Sequence, residues 1–247
     1  MKEQLFIGGR KPAIEYLESG KSVIRVLVQE GIKDNFISKI TAIANKRGIP
    51  VKFLPKLKLD LLKKSEISQG VILEVPGFEF TGIDTLIQRS LNRNKLIVIL
   101  DSIQDPQNLG AILRTSECAG ADGVIITKHN SSPVNETVIK TSAGAISHIP
   151  VVESVNLSNS IKMLKDAGFW IIGTHLEVNP SKTKIDFNLP LAVILGNEEK
   201  GIRRLIKDEC DFLVKIPMGG KIDSLNVSVT AGVILYSILA KRGFEVI

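Results

Sequence analysis

Cysteine is nearly absent. Cys118 and Cys210 are the only two in 247 residues, and neither belongs to a CxxC or Cys/His spacing. No disulfide framework or structural zinc is indicated, and a reduced, cytoplasmic setting is expected. Histidine is equally scarce: His129, His148 and His175 are scattered without ligand spacing, so no metal centre is expected. No apolar run approaches membrane-spanning length, since stretches such as LIVIL (96–100) are strand-sized. The opening MKEQLFIGGRKPAIEYL has neither a long apolar core nor a cleavage pattern, so no signal peptide is expected. With 44% hydrophobic and 23% charged residues, disorder and fibrous repeats are excluded as well.

What is present is an uneven charge. Residues 1–75 hold 14 Lys+Arg against 8 Asp+Glu, whereas residues 76–247 hold 18 of each. The whole surplus of +6 therefore sits in the first third, including Lys52, Lys56, Lys58, Lys63 and Lys64. A basic part joined to a neutral one fits a polyanion-docking module beside a module with another task. A solvated lysine-rich face would leave the same charge count.

The pattern along the chain is α/β. In the first third, residues 13–19 predict a short helix and SVIRVLV (22–28) a strand. A helix follows through Ile37, Ile40, Ile43 and Ala44, then a short strand VKFL, a basic helix opened by Pro55, and a strand GVILEV (70–75). That makes a small α/β/α unit over 1–75. The glycines and proline of PGFEFTG place a linker over 76–94. From residue 95 to 247, strand, loop and helix repeat. LIVIL, DGVIIT, FWIIGT (169–174), LAVILG (191–196) and FLVKIP (212–217) are near-continuous apolar runs, as in parallel strands covered on both faces. Helices are predicted near 107–119, 134–141, 157–167 and 202–208, with a last one carrying Val227, Ala231, Ile234 and Ile238 on one stripe.

Ligands of open α/β sheets collect at the carboxyl ends of the strands. Three such ends here are rich in polar residues: DSIQDPQNLGAILRT (101–115), GNEEKGI (196–202) and IPMGGKIDSLNVS (216–228). The second has the glycine spacing of a P-loop, but Ile202 and Arg203 stand where Lys and Ser/Thr are required, and Glu198 and Glu199 would repel a triphosphate. No GxGxxG with a ribose-binding acid follows the first strand, which disfavours a dinucleotide enzyme. Acidic and amide-rich loops suit a ligand with hydroxyls, an adenine edge and a positive charge.

These three segments resemble the three motifs of the SpoU/TrmH branch of the SPOUT RNA methyltransferases: N-L-G-x-x-x-R-T, G-N-E-x-x-G and I-P-M-x-G-x-x-x-S-L-N-V-S, in that order over 95–247. Residues 1–75 resemble the ribosomal-protein-like RNA-binding domain of RlmB-type members, which methylate a guanosine of 23S rRNA. There ISQGVILEV matches the closing strand, with Ser68 where histidine is commoner. The resemblance implies S-adenosylmethionine as methyl donor, a ribose 2′-hydroxyl of rRNA as acceptor, a trefoil-knotted parallel-sheet domain, a homodimer with the site completed across its interface, and no membrane. Targets in tRNA, a resistance-type adenosine in rRNA, or a non-catalytic RNA-binding assembly factor stay open.

By the same resemblance, Gly196, Ile216 and Leu225 line the donor pocket through backbone groups, with Thr174 as a fourth contact. Plain core packing for Ile216 and Leu225, and a simple turn for Gly196, are the competing readings. Asn108 and Arg114 belong to the catalytic set, with Glu198, Ser224 and Asn226 orienting them and the ribose. A guanidinium stays protonated in proteins, so Arg114 is expected to hold the RNA phosphate and stabilise a developing alkoxide rather than to remove a proton. Six residues separate Asn108 from Arg114 on one helix, so the two need not share a face. Ser224 or Asn226 could instead serve the start of the last helix.

Overall fold

The computed structural model describes residues 5–32, 34–62, 68–175 and 185–245. The chain divides into two compact units, residues 1–79 and 80–247. Lys63 and Lys64 of the basic run lie outside the described residues.

The first unit runs β1 (Leu5–Gly8), α1 (Arg10–Glu18), β2 (Arg25–Gln29), α2 (Asn35–Lys46), β3 (Val51–Leu54), α3 (Lys56–Leu61) and β4 (Val71–Val75). Its four-stranded sheet has the order β1-β4-β2-β3; β2 and β3 are parallel and the other pairs antiparallel. Helix α2 starts at Asp34, whose carboxylate accepts the amide of Ile37 at 2.9 Å, and it buries Ile37, Ile40 and Ala44 on the predicted stripe. On one face of the sheet Leu27, Ile72 and Leu59 of α3 pack together, with Phe6 and Leu54 against them. Strand β1 is an addition to the sequence expectation: four residues offer too little alternation to show as a strand until β4 pairs with them. Ser68 is buried, and its carbonyl accepts the amide of Val71 where the turn enters β4.

The second unit runs α4 (Ile83–Leu91), β5 (Leu96–Asp101), α5 (Pro106–Cys118), β6 (Gly123–Thr127), α6 (Glu136–Thr141), a 3-10 turn (Ala145–Ser147), β7 (Val151–Ser154), α7 (Leu157–Asp166), β8 (Trp170–Thr174), β9 (Leu191–Gly196), α8 (Arg204–Asp208), β10 (Phe212–Val214) and α9 (Val227–Lys241). All pairs of its six-stranded sheet are parallel, in the order β10-β8-β9-β5-β6-β7. Every residue of β5, β6 and β9 is buried, which is why these strands read as unbroken apolar runs.

Two elements of the second unit depart from expectation. Helix α4 occupies part of the span taken as a linker, and its Leu86 and Ile87 belong to the core of the second unit. Nine residues between Gly82 and Asn92 are a short window for helical periodicity. The neighbour that identifies the helix is remote: a Cβ on Gly123 would lie 2.3 Å from Leu86 Cδ1. Strand β7 is likewise hidden in the short run IPVVES (149–154).

The sheet order sets the ligand end. From β5 the chain moves outward through β6 and β7, then returns to lay β8 beyond β5 and insert β9 between them. Direction reverses at β5/β9, so a crevice opens at the carboxyl ends there.

Candidate functional site

Strands β5 and β9 are in register up to Asp101 opposite Gly196, and the site grows from this pair of ends. The loop after Gly196 folds back sharply: Asn197 and Gly201 exchange backbone hydrogen bonds of 3.0 and 2.9 Å. This presses the loop onto Gly196, where a Cβ would lie 2.2 Å from both the Gly201 carbonyl carbon and the Ile202 nitrogen. Glycine is therefore required at 196 by close approach, and Gly201 supplies a φ of +65° for the turn.

Two tethers hold this loop to the end of β5. The Asn197 amide nitrogen donates to the Ser102 carbonyl at 3.0 Å, and Ser102 itself takes a left-handed φ of 66° that β-region backbone would not give. Arg203 donates both its backbone N–H and its Nε–H to the fully buried Asp101 carboxylate, at 2.9 and 2.7 Å.

A cavity of about 330 Å³ lies beside the loop. Thr174, Gly196, Ile216 and Leu225 all line it, so the four residues named for the donor pocket come together from three strand ends and the segment before α9. Ser224 and Glu198 line it too, and so do His175, Met218, Thr230 and Ile234, which the sequence did not single out for this role. Ile234, placed on the buried stripe of the last helix, is half-buried and turns to the cavity instead. Thr174 is fixed there by a 3.2 Å bond from its hydroxyl to the Ile194 carbonyl.

Next to the cavity runs a chain of side-chain amides. Asn226 caps α9, its carbonyl oxygen accepting the Ser228 amide at 2.8 Å, while its NH₂ donates to Asn108 Oδ1 at 3.0 Å. Asn108 in turn donates to Glu198 Oε1 at 2.8 Å, and Asn197 donates to Glu198 Oε2 at 3.2 Å. Asn226 thus caps a helix and joins the chain at once, whereas Ser224 is not the cap. Gly110 lets α5 seat closely on α6, since a Cβ there would meet the Val138 carbonyl oxygen at 2.9 Å.

Arg114 stands apart from this chain. Asn108 is buried and Arg114 exposed, as expected for positions about 240° apart around a helix. The Arg114 side chain forms no hydrogen bond or ion pair with any described residue. Of the residues expected to orient Asn108, Arg114 and the ribose, Glu198 and Asn226 bond to Asn108.

Cys210 lies behind β8, where a Cβ on Gly173 would approach its Sγ to 2.6 Å; burial, with the nearby Asp211 carboxylate, pushes this thiol up to about 12, so it is no nucleophile at neutral pH. Among the described residues, no group of three or more His, Cys, Asp or Glu side chains could hold a metal ion.

Residues 95–236 match the model of the SpoU rRNA methylase family. The chain belongs to that family. Residues 6–81 match the model described as RNA 2′-O ribose methyltransferase substrate binding. Among relatives of this SpoU family member, a Staphylococcus saprophyticus protein assigned to the TrmH family of tRNA/rRNA methyltransferases is 41% identical over 244 residues, 98% of each chain. YacO of Bacillus subtilis, assigned likewise, is 36% identical over 239 residues, 96% of each chain. The fold is that of a crystallised AdoMet-bound rRNA methyltransferase from Sinorhizobium meliloti, with a TM-score of 0.78 at 24% identity over 98% of this chain and 88% of that one. The SpoU methyltransferase AviRb from Streptomyces viridochromogenes, solved with AdoMet, gives 0.76 at 22% identity over 97% and 90%.

Asp101, Asn197 and Arg203 are the structural residues that sequence reasoning passed over. One signal was available for Asp101: a single carboxylate ends an otherwise wholly apolar strand, and such a charge needs a partner.

Proposed function

We propose that this protein is an S-adenosylmethionine-dependent RNA 2′-O-ribose methyltransferase of the RlmB type, acting on a guanosine of 23S rRNA in the cytoplasm. The observation that carries the reading is convergence: two distant motifs line one cavity, and all three meet beside it in one amide–carboxylate chain from Asn226 through Asn108 to Glu198.

The cavity fits the donor chemically. Its volume falls within the roughly 300–1,000 Å³ of small-molecule sites. Val214, Ile216, Leu225 and Ile234 offer apolar walls for an adenine, and Asn197, Glu198 and Glu199 offer acceptors for ribose hydroxyls and a favourable field for a cation. When bound, the donor supplies an electrophilic methyl group on a positively charged sulfur. The Glu198 carboxylate, held at both oxygens, keeps Asn108 fixed, and Asn108 with Ser224 orients the acceptor ribose. Arg114 binds the neighbouring RNA phosphate and stabilises the alkoxide as the 2′-hydroxyl loses its proton to a phosphate oxygen.

The lone exposure of Arg114 supports a homodimer in which it serves the partner's cavity. Helix α9 offers an interface: Val229, Val233 and Tyr236 are 50%, 40% and 39% exposed at spacings of four and three, opposite the buried Val227, Ala231, Leu235 and Ile238. The insertion of β9 between β8 and β5, followed by β10 outside β8, supports a chain end threaded into a trefoil knot. The first unit docks RNA through its surplus charge. Relatives assigned jointly to tRNA and rRNA make tRNA the alternative substrate.

Mass-spectrometric mapping of 2′-O-methyl nucleotides in rRNA and tRNA from cells with and without the gene tests the proposal. One 23S guanosine should lose its methyl group in the deletion strain and regain it in vitro with purified protein and donor. A change confined to tRNA or to an rRNA adenosine replaces the substrate, and no change in any RNA refutes the activity.

A further inference from the structure

The charge buried most completely near the cavity does not face it. Asp101 closes an apolar strand with no solvent exposure, and a buried carboxylate is costly unless its oxygens are engaged. Two of its hydrogen bonds come from one residue, Arg203, through Nε to Oδ1 and backbone N to Oδ2; the third is from the Ser102 hydroxyl at 3.2 Å. The pair is 102 residues apart in sequence, so only the folded chain brings it together.

We infer that Arg203 is a positioning residue for the donor: by gripping Asp101 it fixes the Gly201–Ile202 backbone over Gly196 and so sets the wall of the cavity. Asp101 and Gly196 are lateral neighbours on β5 and β9, and the Ile202 nitrogen lies 2.2 Å from where a Cβ of Gly196 would be. A shift of Arg203 is therefore a shift of the segment that roofs Gly196. Ile202, buried in the core, anchors the same segment from its apolar side. Asn197, Glu198, Glu199, Lys200 and Gly201 all line the cavity, whereas neither Asp101 nor Arg203 does. Arg203 thus acts through the loop rather than on the ligand. Its guanidinium is half exposed, so removing it leaves the core filled and opens only the grip on Asp101.

This inference rests on the donor reading above, and its test separates the two. Full-length wild type, Arg203→Ala and Arg203→Lys are titrated calorimetrically with S-adenosylmethionine and S-adenosylhomocysteine, and steady-state methylation of RNA is followed against donor concentration. Arg203→Ala should weaken both ligands about tenfold, which corresponds to about 1.4 kcal/mol, the low end for a hydrogen bond to a charged group. The KM for donor should rise by the same factor while kcat at saturating donor stays within about threefold. Arg203→Lys should recover only part, since it keeps the charge and the backbone N–H but not the planar fork. A merely structural role would lower the binding-competent fraction and leave Kd and KM unchanged. That pattern, or wild-type affinity in Arg203→Ala, overturns the inference while sparing the donor reading. Failure of the wild type to bind either compound overturns both.

Discussion

Both units contain a buried carboxylate capped by a half-exposed arginine, yet the two pairs sit in different mechanical positions. In the first unit Glu74 on β4 faces Arg25 directly across an antiparallel pair, so its partner reinforces a register that the backbone already sets. In the second unit Asp101 lies at a strand's carboxyl end and its partner belongs to a loop, so the same chemistry controls where that loop goes. The units differ in charge in the same sense. The first carries +5 of the net +6, whereas the second, at +1, is nearly neutral and holds the cavity and the amide chain. A surface that attracts a polyanion works by summed charge; a site that aligns a methyl transfer works by placement. Single substitutions should therefore be severe in the second unit and graded in the first.

The sharpest break would come at Arg114. Its replacement by alanine should cut methyl transfer by roughly 100-fold or more, the usual loss for one preorganised charge-stabilising donor. Thermal stability should hardly move, because the side chain is exposed and unpaired among the described residues. Single-turnover rates beside a melting curve decide it, and a near-normal rate would remove Arg114 from the mechanism.

Next in size is Gly196→Ala. With the Cβ 2.2 Å from loop backbone, the loop must shift, and donor affinity should fall by more than about tenfold. Gly219→Ala is the control, since nothing lies within 4 Å of its Cβ position, and stability there should change by less than about 0.5 kcal/mol. Equal behaviour of the two variants would mean that placement of the loop matters little to the donor.

The first unit should answer more gently. Replacing the exposed Lys52, Lys56 and Lys58 together by alanine should weaken RNA binding several-fold, and lower the slope of log K against log salt by up to about 0.7–0.9 for each phosphate no longer neutralised. Donor affinity should be untouched. An unchanged salt slope would show that these lysines are only a solvated face.

The smallest functional effect is expected from Arg25→Ala. Leaving Glu74 buried without its partner should lower the melting temperature by several degrees, yet donor affinity should match wild type, in contrast to Arg203→Ala. Calorimetry on both variants side by side measures how much the position of an ion pair matters.

The division of labour was legible in the sequence because charge and periodicity are local properties. Strands β2, β5, β6 and β9 announced themselves as apolar runs, and α2 by its spaced isoleucines. Strand neighbours were not legible. Nothing in LAVILG says that it lies between β8 and β5, because burial on both faces looks alike wherever a strand sits. At the site, glycines and motif polar residues could be located, but not their mutual bonds. The partners of Asn108 are 90 and 118 residues away, and sequence logic assigned Glu198, Ser224 and Asn226 jointly to Asn108, Arg114 and the ribose without separating their bonds. In the sequence Arg203 stands out only as the wrong residue for a P-loop; its purpose emerges when Asp101 is placed beside it.

The dual bonding of Asn226 has a consequence for how the molecule forms. The residue that starts α9 also completes the chain through Asn108, so the final helix cannot be correctly begun without touching a segment made 118 residues earlier. At the other end of α9, Arg242 donates to the Phe187 carbonyl at 2.6 Å and to the Leu189 carbonyl at 3.1 Å, so both ends of this helix depend on distant chain. Closing loops of that length is slow compared with forming helices or adjacent strands. The capacity to hold a donor should accordingly emerge last during refolding, well after the far-ultraviolet signal has recovered. Ligand capture then serves as a clock for the final closure, and an enzyme halted short of it has its sheet but no site.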